Sequence, residues 1–333
     1  RGVVSSVRVM NGHLQSGAKL SFMQAGALHE ALEIGVRQPA TVPVKVLGPG
    51  EVGYLIAGIK DVGDARSGET VTTGSKGAET PLAGYRDPKP MVFSGLFPID
   101  GDDFEDLRDA LGKLKLNDAS ITYTPESSGA LGFGFRCGVL GLLHMEIVKE
   151  RLEREFGLAL IATAPSVEYR VTRTDGDIAI VDNPAELPPP QQVESIEEPI
   201  FKVSIISPTE YTGALMELCQ SRRGEMKRME YLSPERVELV YDIPLAEVVV
   251  DFFDQLKSRS QGYASLDYEL TGYHPSNLVR VDLLLNGTPA DAFSTIVHRE
   301  SADQYGRRMC EKLKELIPRQ MFDVPIQAAI GGK

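Results

Sequence analysis

The chain has 333 residues, 42% hydrophobic and 25% charged, which suits roughly two to four domains of ordinary globular composition. A net charge of −12 argues against a general nucleic-acid binder. Three widely spaced cysteines, Cys137, Cys219 and Cys310, argue for a reducing compartment without a disulfide framework, and no apolar run approaches the ~20 residues of a membrane helix.

Residues 1–80 are rich in Val, Gly and Thr in short alternating runs. Val3–Val9 is followed by the turn signal Asn11-Gly12, and further runs cover 19–23, 41–47, 53–59 and 69–73. Many short strands with glycine turns predict a small β-barrel.

Residues 88–165 predict a ferredoxin-like βαββαβ unit. Met91–Pro98 is its first strand. Asp100 caps a helix through Leu107, Leu111 and Leu114, followed by strands 119–123 and 130–136. A long helix is expected over 139–156 and a closing strand over 158–163.

Residues 166–198 read as a connector, stiffened by Leu187-Pro188-Pro189-Pro190, with a short hairpin around Asp175-Gly176. It holds two basic and eight acidic residues, half of the whole net charge.

Residues 199–275 repeat the βαββαβ order. Ile200–Ile206 is a strand, and Ser207-Pro208-Thr209-Glu210 predicts a capping box. The helix runs to Arg223, where Gly224 ends it. A hairpin turns at Ser233-Pro234-Glu235, and Pro244 opens a helix buried through Leu245, Val249, Phe252 and Leu256.

Residues 276–333 begin with strand 278–285 and the turn Asn286-Gly287. A second capping box, Ser301 to Gln304, starts a helix ending near Ile317-Pro318. Both chain ends read as cut, at Arg1 and at Gly331-Gly332-Lys333, so a fragment is expected.

The sequence holds no P-loop, HExxH, CxxC or GxSxG. Gly132-Phe133-Gly134-Phe135-Arg136-Cys137-Gly138 sits where a dinucleotide loop would, but its spacing is GxGxxxG, and a structural strand-to-helix junction is expected. Basic clusters remain: Arg222, Arg223, Lys227 and Arg228 at one helix end, and Lys257 and Arg259 at another. His298, Arg299, Arg307, Arg308, Lys312 and Arg319 lie in the last segment. Each has a plain reading as a solvated or dipole-complementing group and a functional one as a phosphate contact.

These residues carry a resemblance. Gly50–Lys60, Gly132–Glu146 (GFGFRCGVLGLLHME), Ser258–Ser265 and Pro318–Ala328 resemble the translational GTPase family, most closely its LepA branch. The resemblance spans essentially all 333 residues. His144 matches the family's histidine in a Gly-Glu-Leu-His-like motif. It implies a multidomain β and α+β chain: a translation-factor barrel (1–87) and ferredoxin-like domains similar to elongation factor G domains III (88–165) and V (199–275). A partial α/β C-terminal domain (276–333) completes it. A GTPase domain would precede Arg1 with GTP and Mg, so no catalytic or GTP-binding residue is expected here, and a basic tail would follow. The implied partners are both ribosomal subunits and tRNA, with a monomeric chain. Arg222, Arg223, Lys227, Arg228, Lys257 and Arg259 would face ribosomal RNA. His298, Arg299, Arg307, Arg308, Lys312 and Arg319 would face tRNA. The implied work is back-translocation or ribosome rescue in the cytoplasm, and the branch also allows peripheral storage at the inner membrane. A BipA/TypA-like ribosome-associated GTPase is the neighbouring reading. A small-ligand regulator with tandem ferredoxin-like domains is the reading from another class, supported by the repeat alone.

Overall fold

The computed structural model describes residues 2–74, 77–83 and 89–331. The expected barrel boundary at 87/88 and the terminal Gly332-Lys333 lie outside them. The chain divides into two compact units, Arg1–Pro88 with Lys115–Ser120, and Lys89–Leu114 with Ile121–Lys333.

The first unit is built from nine short strands. They are β1 (Val4–Arg8), β2 (Leu14–Gln15), β3 (Lys19–Phe22), β4 (Ala27–Glu30), β5 (Glu33–Gln38), β6 (Ala40–Pro43), β7 (Val46–Leu47), β8 (Val52–Ile56) and β9 (Val71–Thr73). The sheets run β1-β8-β5-β6 and β4-β3-β9, with β2 paired to β7. Alternation turns Leu20, Phe22, Ile34, Leu47 and Leu55 into one core. The sequence reading missed β2, β4 and the central β5. β5 has only two large apolar side chains around a glycine, a weak strand signal. Gly35 is nonetheless required, because a Cβ there would lie 2.4 Å from the Val42 carbonyl oxygen and 2.5 Å from the Tyr54 ring.

The second unit opens with β10 (Val92–Pro98), α1 (Phe104–Lys115), β11 (Thr122–Ser128), β12 (Gly132–Val139), α2 (Leu142–Phe156) and β13 (Leu160–Ala162). The sheet order β11-β12-β10-β13, antiparallel throughout, is the ferredoxin-like arrangement. Asp100 accepts from the Asp102 N–H and caps the 3-10 turn that leads into α1. Leu107, Leu111 and Leu114 are buried as the helical spacing requires.

The glycine-rich stretch is not the expected junction. It lies within β12, a central strand paired on both sides. A Cβ at Gly134 would sit 2.4 Å from the Leu96 carbonyl oxygen, and one at Gly138 would sit 2.5 Å from the Thr122 hydroxyl. These glycines serve close packing, and the helix starts three residues later than expected.

The stretch 166–198 is ordered rather than merely connecting. β14 (Tyr169–Arg173) and β15 (Ile178–Val181) form the hairpin, with Gly176 at φ +90°. β14 also pairs with the start of β16 (Val193–Pro208), which begins well before the expected Ile200. After β16 come α3 (Thr212–Ser221), β17 (Glu225–Ser233), β18 (Arg236–Pro244), α4 (Leu245–Val249), α5 (Phe252–Arg259) and β19 (Ser265–Pro275). The sheet runs β15-β14-β16-β18-β17, with β19 on the other edge of β16. This is again the ferredoxin-like order, extended by the hairpin.

Two local expectations fail here. Ser207 caps nothing: it is buried on β16 opposite Val237, and a 3-10 turn at Thr209–Tyr211 leads into α3. The helix after Pro244 breaks at Asp251, which takes φ +51°, although Leu245, Val249, Phe252 and Leu256 are all buried.

The last segment holds β20 (Leu278–Leu285), β21 (Thr288–Pro289), β22 (Thr295–His298), α6 (Ala302–Leu316) and β23 (Ile326–Ile330), with β20 central. Asn286 and Gly287 both take positive φ, the hairpin turn the dipeptide signals. Ser301 makes no side-chain cap, because it already has helical dihedrals after a 3-10 turn.

Candidate nucleic-acid interface

The cations of the second ferredoxin-like unit are distributed by its topology. α3 and α5 run in opposite directions across the sheet, so their C-termini lie at opposite ends. At one end Arg222 donates to Asp251, which precedes α5, and Arg223 reaches Glu198 on β16. At the other end Arg259, closing α5, donates to the Ala214 carbonyl oxygen in the first turn of α3 at 3.3 Å. The six ribosomal-RNA candidates therefore do not form one patch.

Most of these cations already have partners. Arg223 binds both oxygens of Glu198 at 2.7 and 2.9 Å and Glu247 at 2.9 Å. Glu198 is 3% exposed, and the two carboxylates hold Arg223 above its ordinary pKa despite the opposing pull of burial. The structure gives Arg223 the work of tying a helix end to the sheet. Lys227 occupies a β-bulge between Glu225 at 2.9 Å and Asp242 at 3.4 Å. Arg228 pairs with Glu230 and Glu238. Lys257 donates to the carbonyl oxygens of Gly262 and Ala264, and its ammonium lies 5.4 Å from the Phe253 ring centroid.

The sheet face away from the helices is acidic. Phe201, Val203 and Ile205 point to the helices, so Lys202, Ser204 and Ile206 point outward. Their cross-strand neighbours include Asp242, Glu238 and Glu269. Lys202 pairs with Glu269 at 3.3 Å, and Ser204 donates to Glu238 at 2.7 Å. Carboxylates outnumber cations there, so this face repels phosphate. Phosphate contact is left to the two ends and the strand edges.

The last segment has a different pattern. Arg307 forms an exposed pair with Asp303 at 3.0 Å, and Arg308 lies over Tyr305. Lys312 and Arg319 are exposed. Arg299 donates to Asn277, while Arg223 donates to the adjacent Ser276. That junction brings one cation from each expected set into one neighbourhood. His298, at the end of β22, is half-buried opposite Leu278.

His144 receives a structural role. Gly141 precedes α2 and offers no side-chain cap. The His144 Nδ1 accepts the Leu140 N–H at 3.2 Å, in the manner of a capping residue that reaches back from the first turn.

A second polar cluster, which the sequence reading did not mark, joins β11, β12 and the segment before β16. Arg136 is 8% exposed and donates to Ser166 and to the Asp182 carbonyl oxygen, with Glu126 3.9 Å away. Burial raises the pKa of Glu126, Arg136 opposes the rise, and Glu186, Asp182 and Asp291 add to it. Asp291 accepts from Ser128 Oγ at 2.7 Å and the Gly129 N–H at 2.8 Å. Burial pushes Asp291 up, but these hydrogen bonds prevail and hold it below the usual carboxylate range. The cluster surrounds a cavity of only about 40 Å³. It is a joint between layers.

Nothing among the described residues fits GTP with Mg. The backbone of 132–138 is engaged in a sheet rather than curled into a phosphate cradle, and no group of three or more His, Cys, Asp or Glu could hold a metal. Burial raises the Cys137 thiol to about 12, against any nucleophilic role. No helix among the described residues is long and apolar enough to cross a membrane.

Comparison with known proteins agrees with this architecture. Residues 2–72 match the family "Elongation factor Tu domain 2", residues 195–284 match "Elongation factor G C-terminus", and residues 285–333 match "GTP-binding protein LepA C-terminus". The chain is 60% identical over all 333 residues to Elongation factor 4 of Corynebacterium aurimucosum, covering 54% of that protein. It is 60% identical to that of Microcystis aeruginosa, covering 55%, and 57% identical to that of a Mycobacterium species, covering 52%. The chain thus spans about half the length of the curated relatives it matches.

Proposed function

Along all 333 residues the chain belongs to the elongation factor 4, or LepA, family, and from that premise we propose that it is the ribosome- and tRNA-facing portion of a translational GTPase. The work proposed for the whole protein is back-translocation or rescue of ribosomes in the cytoplasm, with GTP and Mg bound outside these residues. The observation that carries the reading is identity of 57–60% over all 333 residues, with family matches at residues 2–72, 195–284 and 285–333. The BipA/TypA-like reading has no equivalent support, because the match to LepA sequence extends through residues 285–333.

The electrostatics refine the contact proposal. Lys257 and Arg259 at one end of the second ferredoxin-like unit, Arg222 at the other and Arg228 on the edge strand β17 remain the proposed ribosomal-RNA contacts. Lys227 contributes at the bulged edge, and Arg223 supports this set from beneath. Arg299, Arg307, Arg308, Lys312, Arg319 and His298 remain the proposed tRNA contacts, on a monomeric chain.

The test is co-sedimentation with bacterial ribosomes across a salt series, with elongation factor G as competitor. Salt-sensitive binding that the competitor displaces is expected. If the chain joined to its full-length sequence and loaded with a GTP analogue still failed to sediment, the reading would fall.

A further inference from the structure

The last segment is seated on the rest of the second unit by contacts of two kinds. At β20 the seat is firm. Leu278 and Ile296 belong to the large core that spans both ferredoxin-like units. Arg280 donates to the carbonyl oxygens of Ala185 and Leu187 at 3.2 and 3.0 Å. Val279, Val281 and Ala302 form a separate small core, so the segment also has packing of its own.

The contact with the first ferredoxin-like unit is polar and wet. Asp291 reaches the turn between β11 and β12, where it accepts from Ser128 Oγ at 2.7 Å and from the Gly129 N–H at 2.8 Å. Ser128 and Asp291 are half-buried, while Gly129, Ala130 and the nearby Phe293 are exposed. Water can replace hydrogen bonds in such a place, so closing them adds little net stability.

Both halves of this contact are nonetheless preset. Ser128 Oγ accepts the N–H groups of Ala130 at 3.2 Å and Leu131 at 3.1 Å, which leaves its own proton for Asp291. The Ala292 N–H holds Asp291 Oδ1 at 2.9 Å. Ser294 donates to Asp282 at 2.8 Å, and the Ala290 N–H bonds to the Leu283 carbonyl oxygen at 2.9 Å. The Asp291 turn is thereby tied to β20 and moves with it. Two rigid halves joined by easily exchanged bonds, beside a firm anchor, make a hinge with a catch.

We propose that Asp291 on the β11–β12 turn is a catch that opens and closes, and that the last segment, with its proposed tRNA contacts, turns about the anchored end of β20 when it opens. The movement is a property of the chain alone. Its test needs no ribosome, so it stands or falls apart from the ribosome-binding reading.

The test places spin labels on the native Cys310, in α6, and on Arg154→Cys, in α2, where Arg154 is 78% exposed. Pulsed electron paramagnetic resonance then reads the distance between the last segment and the first ferredoxin-like unit. One dominant distance is expected in the parent chain. Asp291→Ala should raise the population of a second distance by about ten-fold or more. Ser128→Ala should raise the same population from the other side of the catch. The double variant should add little to Asp291→Ala, because both changes open one contact. A control pair, Cys310 with Thr288→Cys, lies within the last segment and should keep one narrow distance throughout. Distances in Asp291→Ala and Ser128→Ala that match the parent would overturn the catch. So would a broadened control pair, since the segment would then be loosening rather than turning.

Discussion

Arg223 takes φ +57° at the end of α3 and binds both carboxylate oxygens of Glu198. The helix closes with the Gly224 N–H on the Cys219 carbonyl oxygen at 2.8 Å and the Arg223 N–H on Gln220 at 3.1 Å. In this closure the left-handed position falls on Arg223 rather than on the glycine the sequence offers. Gly224 is needed for another reason: a Cβ there would sit 2.6 Å from the Cys219 carbonyl oxygen. The strained arginine is held by its two carboxylates.

Removing that guanidinium strands Glu198, which is 3% exposed. Arg223→Ala should cost about 3 kcal/mol. Arg223→Lys should recover only part, because an ammonium cannot make the two-point contact. Urea unfolding of the three proteins checks this, and equal midpoints would refute the clamp.

The three thiols should separate cleanly. Cys137 and Cys219 are fully buried, and burial raises each to about 12, while Cys310 is partly exposed. A disulfide reagent at pH 8 should titrate one thiol per native chain and three in denaturant, with Cys310 the native site by peptide mapping.

Gly134→Ala should destabilise the second unit by about 2 kcal/mol or more, since its Cβ would meet a backbone oxygen and the Phe97 ring. Gly101→Ala, where nothing lies within 4 Å and the backbone is not left-handed, is the control and should change little. Melting temperatures decide between them.

Glu126 should make the fold pH-sensitive in a defined direction. Its folded pKa is raised by burial, so its stabilising contribution is complete below the ordinary carboxylate value and is lost as pH rises through the raised one. Glu126→Gln should therefore match the wild type in acid and equal or exceed it at pH 8. A wild-type advantage that grows with pH would contradict this.

His144→Ala should lower stability by about 1 kcal/mol through loss of the bond to the Leu140 N–H. Its ribosome affinity should be unchanged once melting is accounted for. A specific loss of binding would move His144 from capping to contact.

The two βαββαβ orders were legible because each helix and strand carries its own period: Leu107, Leu111 and Leu114 mark α1, and Ile200–Ile206 marks β16. Hairpin turns at Asp175-Gly176 and Asn286-Gly287 were legible for the same local reason. Helix starts were less so. Both capping boxes failed, because a capping signal is only an option for the backbone, and at Ser207 the β18 ladder satisfied it first.

The order of elements in the two ferredoxin-like units, the fold class and the family resemblance were thus legible in the sequence itself, since they depend on local periodicity and on long motifs, whereas β2, β4 and β5 of the first unit were not. Which cations are open to a partner was decided only by tertiary structure. Arg222, Arg223, Lys227 and Arg228 read alike in the chain. Glu198, Glu247, Asp251, Asp242 and Glu238, drawn from strands and helices distant in sequence, are what divide them between internal support and surface.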